Sequence, residues 1–306
     1  MYTEFYNLKE KPFNLTPDPR FLHLSQNHKE ALALLVYGVK ERKGFIVMTG
    51  EVGTGKTTLL HALLRNLDDN TKTVFIFNPL LDVNEFFKFV CIDLGIRVKD
   101  QTKGDCLLGI YKFLLESYTK NQNVVMIIDE AHNLNPSLLE EIRLLSNFET
   151  GQDKLIQIIL VGQPELNSIL NLSQCRPLKQ RISLWFFINP LNQKETEKYI
   201  RSRLGKAGLE TSCYTKKAFD EIYQYTKGVP RLINIICDNA LTVGYGMDRK
   251  RIDEKIVKEA IADLETCEPR STGSAEVRGP IGTGSTFRLA EKRKKPGSLG
   301  RNQEKT

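Results

Sequence analysis

The sequence predicts an α/β fold: a parallel five-stranded sheet sandwiched by helices, then a small all-helical domain, then a disordered tail. Three observations lead there. Five short apolar runs between residues 45 and 188 alternate with stretches of helical apolar spacing, as expected of parallel strands covered on both faces. From Asn192 onward no strand pattern survives, and four helical stretches follow one another to Leu264. Beyond Cys267 the composition turns to Gly, Ser and Lys, which bury too little apolar surface to fold. The expected divisions are 1–190 for the sheet domain with an N-terminal lead-in, 191–267 for the helical domain and 268–306 for the basic tail.

The first strand, Phe45-Ile46-Val47-Met48, runs into Gly50-Glu51-Val52-Gly53-Thr54-Gly55-Lys56-Thr57 and then into the Leu-rich helix that begins at Thr58. Glycines at 50, 53 and 55 let the backbone curl until its N–H groups converge at the positive end of the following helix, which favours a polyphosphate. Lys56 is placed to reach the β/γ-phosphates, Thr57 to ligate Mg²⁺, and Thr58 to add a polar contact at the helix mouth. The stretch resembles the phosphate loop of the P-loop NTPases. Ahead of it lie an irregular segment with Pro12-Phe13 and Pro17-Asp18-Pro19, and a helix over His28–Lys40; Phe13, Phe21 and His23 read as packing residues.

The second strand is expected at Thr73–Phe77, followed by amphipathic stretches Val83–Leu94 and Asp105–Tyr118. The third, Asn123–Ile128, ends in Asp129-Glu130, a Walker B pattern: Asp129 would hold Mg²⁺, and Glu130 would activate the attacking water. Asp129-Glu130-Ala131-His132 also spells the signature of one helicase group, but that architecture needs two tandem cores and this sequence has one phosphate loop. His132 reads as a helix-start or supporting group. A helix over Pro136–Asn147 leads to the fourth strand, Leu155–Val161, which ends in Gly162-Gln163-Pro164. Gln163 is the candidate sensor of the γ-phosphate, the alternative being a cap for the following helix.

Arg176 and Arg181 precede the fifth strand, Ser183–Ile188. Arg181 is the preferred candidate to complete a neighbouring subunit's site, worth on the order of 10³ to 10⁵ in rate, against the alternative of a surface arginine. In the helical region, Gly228-Val229-Pro230-Arg231 opens a helix, and Arg231 can reach back over the phosphates or lie on the helix surface.

The net charge is +7, but residues 268–306 hold nine Lys/Arg and four Glu, so the first 267 residues carry only +2. That near-neutral balance argues against a nucleic-acid-binding stripe on the folded part. No run of about eighteen apolar residues and no signal-peptide pattern appears, so a cytoplasmic chain with reduced cysteines is expected.

Taken with Leu144-Leu145-Ser146-Asn147-Phe148-Glu149-Thr150, Leu160-Val161-Gly162-Gln163-Pro164-Glu165-Leu166 and Gln180-Arg181-Ile182, these motifs resemble the AAA+ ATPases. Among them the chain is most similar to the general secretion pathway protein A family and its relatives near exopolysaccharide and pilus loci, over residues 1–267. The resemblance implies ATP and Mg²⁺ as ligands, and hydrolysis coupled to assembly of a secretion or envelope complex. It implies a homo-oligomer joined through the nucleotide edge, an envelope or secretion-system partner, and a place in the cytoplasm or at the inner membrane through that partner. It puts Gln163 in the sensor 1 place, Arg181 in the finger place and Arg231 in the sensor 2 place. Relatives often carry Gln where His132 stands. Longer members continue into a membrane span and a wall-binding domain that this sequence does not include, so no direct span is expected. Transposition regulators share the layout and suggest the alternative, an ATP-dependent DNA-binding assembly factor.

Overall fold

The computed structural model describes residues 2–267 apart from 16–18, 22, 78, 100–101, 152 and 210. The basic tail expected over 268–306, and Pro17-Asp18 of the lead-in, lie outside the described residues. A short helix α1 (Tyr2–Phe5) precedes α2 (Gln26–Lys40), whose cap is Ser25, accepting the N–H of His28. Then come β1 (Phe45–Gly50), α3 (Lys56–Asn66), β2 (Thr71–Ile76), α4 (Val83–Asp93) and α5 (Lys103–Thr119). Asp82 and Glu85 form a reciprocal capping box at α4, and Thr102 caps α5, each cap contributing about 1 kcal/mol. β3 (Asn123–Ile128), α6 (Pro136–Leu145), β4 (Gln157–Gly162), α7 (Glu165–Leu170), α8 (Arg176–Lys179) and β5 (Ile182–Ile188) complete the sheet region.

The five strands are parallel in the order β2-β3-β4-β1-β5. Alternate side chains of each inner strand enter opposite helical layers. Phe45, Val47, Met126, Ile128, Ile158 and Leu160 pack with α4–α8, whereas Ile46, Met48, Val125, Ile127, Ile159 and Val161 pack with α2 and α3. This double coverage explains why β1, β3 and β4 read as unbroken apolar runs. The order also puts the carboxyl end of β4 between those of β3 and β1, so the Walker B acids, Gln163 and the phosphate loop share one edge of the sheet.

Four helices follow: α9 (Gln193–Lys206), α10 (Lys216–Thr226), α11 (Pro230–Gly246) and α12 (Glu254–Cys267). Their core includes Ile200, Leu204, Ile222, Ile233, Ile236 and Ile252. The lead-in, grouped with the sheet on sequence, buries Tyr2, Tyr6, Leu8, Phe13 and Phe21 in this helical core. Tyr6 donates to the Arg249 carbonyl at 2.7 Å, and the N–H of Lys9 donates to the Ala207 carbonyl at 2.8 Å. The lead-in therefore ties α2 and the phosphate loop to the helices that come last in the chain.

That connection is closed again at Leu191 and Gly228. The N–H of Leu191 donates to the Gly228 carbonyl at 2.9 Å, and a Cβ on Gly228, at φ +80°, would lie 1.8 Å from the Leu191 carbonyl oxygen. Only glycine fits this crossing. Among the described residues no helix is long and apolar enough to cross a membrane.

Candidate functional site

Helix α3 begins at Lys56 with no side chain capping its first turn, so its leading N–H groups are left for a ligand. Gly53 and Gly55, at φ +78° and +98°, bend the preceding loop around that same end. Uncapped N–H groups on a positive helix terminus are a fit for phosphate. Lys56 is buried and donates its ammonium to the carbonyls of Gly50 at 2.8 Å and Glu51 at 3.0 Å. Burial pushes its pKa below the ordinary lysine value, while Glu130, Asp129, Glu51 and Glu165 pull it back up. A cation partly stripped of water beside uncapped N–H groups suits a polyanion.

Thr57 donates its hydroxyl to Asp129 at 2.8 Å, and the other oxygen of Asp129 accepts the N–H of Glu130 at 2.9 Å. A threonine hydroxyl against a buried carboxylate is an all-oxygen donor pair, which fits a hard cation such as Mg²⁺. Glu130 follows at φ +52°, the left-handed region, where it turns out of β3 with its side chain part-exposed.

These groups open on one cavity of about 440 Å³, within the range of small-molecule sites. Val52 to Thr58, Glu130, Gln163 and Arg231 all line it. Gly50 and Glu51 contribute carbonyls to Lys56 and are not in the wall itself. The structure thus brings together Gly53, Thr54, Gly55, Lys56, Thr57, Thr58, Glu130, Gln163 and Arg231, with Asp129 just behind Thr57.

Arg181 is elsewhere. It donates to Ser146 at 3.0 Å and to the Asn147 side chain, at the end of α6, and it precedes β5 at the edge of the sheet. It does not line the cavity of its own chain.

Sequence reasoning missed Asn14, Tyr199, Arg203 and Asn234, which also line the cavity, as does His23, read there as a packing residue. Arg203 is buried, and among the described residues its hydrogen-bond partners are neutral. It donates to the carbonyls of Pro12 at 2.7 Å and Asn14 at 3.4 Å, to the Tyr199 hydroxyl at 2.6 Å and to the Asn234 amide oxygen at 3.0 Å. His28 was also missed. Its Nε2 lies 2.9 Å from the Thr54 carbonyl, which can only accept, so Nε2 carries the proton; Nδ1 then accepts from the Ser25 hydroxyl at 2.6 Å. A Ser one turn before a His at a helix start is the local signal, but its meaning depends on a loop 26 residues on.

Residues 39–170 match a family described as AAA domain. General secretion pathway protein A of Aeromonas hydrophila is 39% identical over 254 residues, 82% of this chain and 46% of that protein. The chain thus spans about half the length of that relative. Among solved structures, Cdc6p from Pyrobaculum aerophilum superposes with a TM-score of 0.64 at 19% identity, over 83% of this chain and 70% of its own. The Aeropyrum pernix ORC1 protein, solved in complex with DNA, gives 0.60 at 16% identity over 84% and 70%. Sheet order, phosphate loop, following helices and sequence similarity agree: the chain has the AAA+ P-loop fold, with an AAA domain match over residues 39–170, and is similar to general secretion pathway protein A.

Proposed function

We propose that this chain binds and hydrolyses ATP with Mg²⁺ and that the cycle drives assembly of a secretion or envelope complex. The observation that carries the reading is the single cavity into which the uncapped end of α3, Lys56, Glu130, Gln163 and Arg231 all open. In this reading the loop N–H groups and Lys56 hold the phosphates, and Thr57 and Asp129 hold Mg²⁺, which when bound neutralises phosphate charge. Glu130 takes a proton from the attacking water as the bond from the γ-phosphorus to its bridging oxygen breaks. Gln163 contacts the γ-phosphate or that water. Arg231 reports the nucleotide to α11, and Arg181 serves a neighbouring subunit in a homo-oligomer. The similarity to general secretion pathway protein A supports an envelope or secretion-system partner and a place at the inner membrane through it.

The test is ATP binding and turnover in two variants, with and without DNA. Lys56→Ala is expected to lose ATP binding, and Glu130→Gln to keep it while losing about 10²-fold or more in turnover. Tight ATP binding by Lys56→Ala would mean the phosphates sit elsewhere. The likeness to the DNA-bound ORC1 fold favours a second reading, a DNA-binding assembly ATPase. Strong, salt-sensitive stimulation of turnover by DNA would put that reading first.

A further inference from the structure

Glu130 and Gln163 line the cavity from different strands, and His132 stands behind both. Its Nδ1 receives the backbone N–H of Gln163 at 3.3 Å, and its Nε2 lies 3.0 Å from the Gln163 side-chain amide. The same Nδ1 is 3.5 Å from a carboxylate oxygen of Glu130. A backbone N–H can only donate, so Nδ1 meets it with a lone pair and the proton of the neutral ring sits on Nε2. The Gln163 amide nitrogen is placed against Nε2, and turning the amide about its last bond presents the oxygen instead, so that Nε2–H donates to it and both groups are satisfied. With its lone pair engaged, Nδ1 offers no proton to Glu130, whose carboxylate stays free to accept one. Gly162 makes the approach possible, because a Cβ there would lie 3.1 Å from the His132 backbone nitrogen.

We propose that His132 is a positioning residue for hydrolysis, one that fixes the Gln163 amide through Nε2–H and leaves Glu130 uncoupled from any donor on the ring. This rests on the reading of Glu130 as the base and Gln163 as the sensor. The ring does not line the cavity; it sets where two groups that do are held, and its loss lowers kcat without weakening ATP binding.

The test compares His132→Gln, whose amide nitrogen takes the place of Nε2, with His132→Asn, which keeps only the position of Nδ1, and with His132→Phe, which keeps ring volume alone. ATP binding, steady-state ATPase rates and the double variant with Gln163→Ala are measured on the full chain. His132→Gln is expected to hold kcat within about threefold, while the Asn and Phe variants lose about tenfold or more with KM within about threefold. In the Gln163→Ala background the Asn change is expected to cost nothing further, since the partner of Nε2 is gone. Equal kcat in all three variants, or losses that multiply with Gln163→Ala, would overturn the proposal. If Phe fails to fold, as shown by lost ATP binding, the Gln and Asn pair decides by the same criteria. Glu130→Gln separates the two levels: wild-type turnover in that variant would fail the underlying reading, whereas a dead Glu130→Gln beside a fully active His132→Asn would fail this one alone.

Discussion

Arg231 donates its backbone N–H to the carbonyl of Gly53 at 3.2 Å, so the first turn of α11 rests directly on the phosphate loop. Gly53 is at φ +78°, and a Cβ there would lie 2.7 Å from Cβ of Arg231 and 3.2 Å from a methyl of Val229. Gly53→Ala therefore strains the loop and lifts the helix at once. The expected result is a folded protein whose ATP affinity drops about tenfold or more, read by titration with a fluorescent ATP analogue. Gly151→Ala, at a position with nothing near the added carbon, is the control expected to leave affinity unchanged.

His28 gives the loop a pH-dependent support. Burial lowers its pKa from the ordinary 6.5, with the Thr54 carbonyl pulling the other way. Above that ordinary value both folded and unfolded chains hold a neutral ring, and no penalty exists. As pH falls below it, the unfolded chain takes up a proton that the folded chain refuses, so stability declines until the folded pKa is reached. His28→Gln keeps a donor for Thr54 and cannot titrate. Its unfolding free energy is expected to fall less steeply than the wild type's between about pH 7 and pH 5 in urea denaturation. Some slope remains, because burial lowers His23 in the same direction. Identical slopes would show that His28 is not held neutral.

The parts of the fold legible in the sequence are those whose signal is contiguous. The phosphate loop is eight consecutive residues, and β1, β3 and β4 are apolar runs because helices cover both faces. The strand ends differ by up to two residues: β2 starts at Thr71 instead of Thr73, because pairing with Asn123 of β3 extends it. Helices α1, α7 and α8 span 4, 6 and 4 residues, too few turns for a period to show. Arg203 was silent for another reason. Its partners Pro12 and Asn14 are 191 and 189 residues away, and a lone arginine on an amphipathic helix says nothing about which end of the chain will meet it.

Arg203 is expected to be a large contributor to stability. Removing its guanidinium takes the Arg203 donor from the buried Pro12 carbonyl, leaves the Asn234 amide oxygen with the Tyr199 hydroxyl alone, and removes one of the ties between the lead-in and α9. Arg203→Leu should cost about 3 kcal/mol. For a folded region of this size that lowers Tm by roughly 6–12 °C, measured by differential scanning calorimetry. Arg203→Lys should recover only part of it, since an ammonium does not reproduce the planar fork. A Tm within about 2 °C of wild type for Arg203→Leu would show that the lead-in is held by its aromatic side chains and the bonds of Tyr6 and Lys9.

Arg181 yields the most direct test of assembly. Its guanidinium is tied to Ser146 and Asn147, ahead of the edge strand β5, and does not line its own cavity. In the reading proposed above, its contact with the phosphates is therefore made in a neighbouring subunit's site. Arg181→Ala should leave ATP affinity within about threefold and cut turnover by about 10³. Glu130→Gln subunits should also turn over poorly, but they carry an intact Arg181. Mixing the two variants creates interfaces where that arginine faces an intact Glu130, so ATPase activity should rise above both parents and peak near equal proportions. A mixture no more active than the sum of its parts, with both variants folded and binding ATP, would confine Arg181 to holding the corner between α6 and β5.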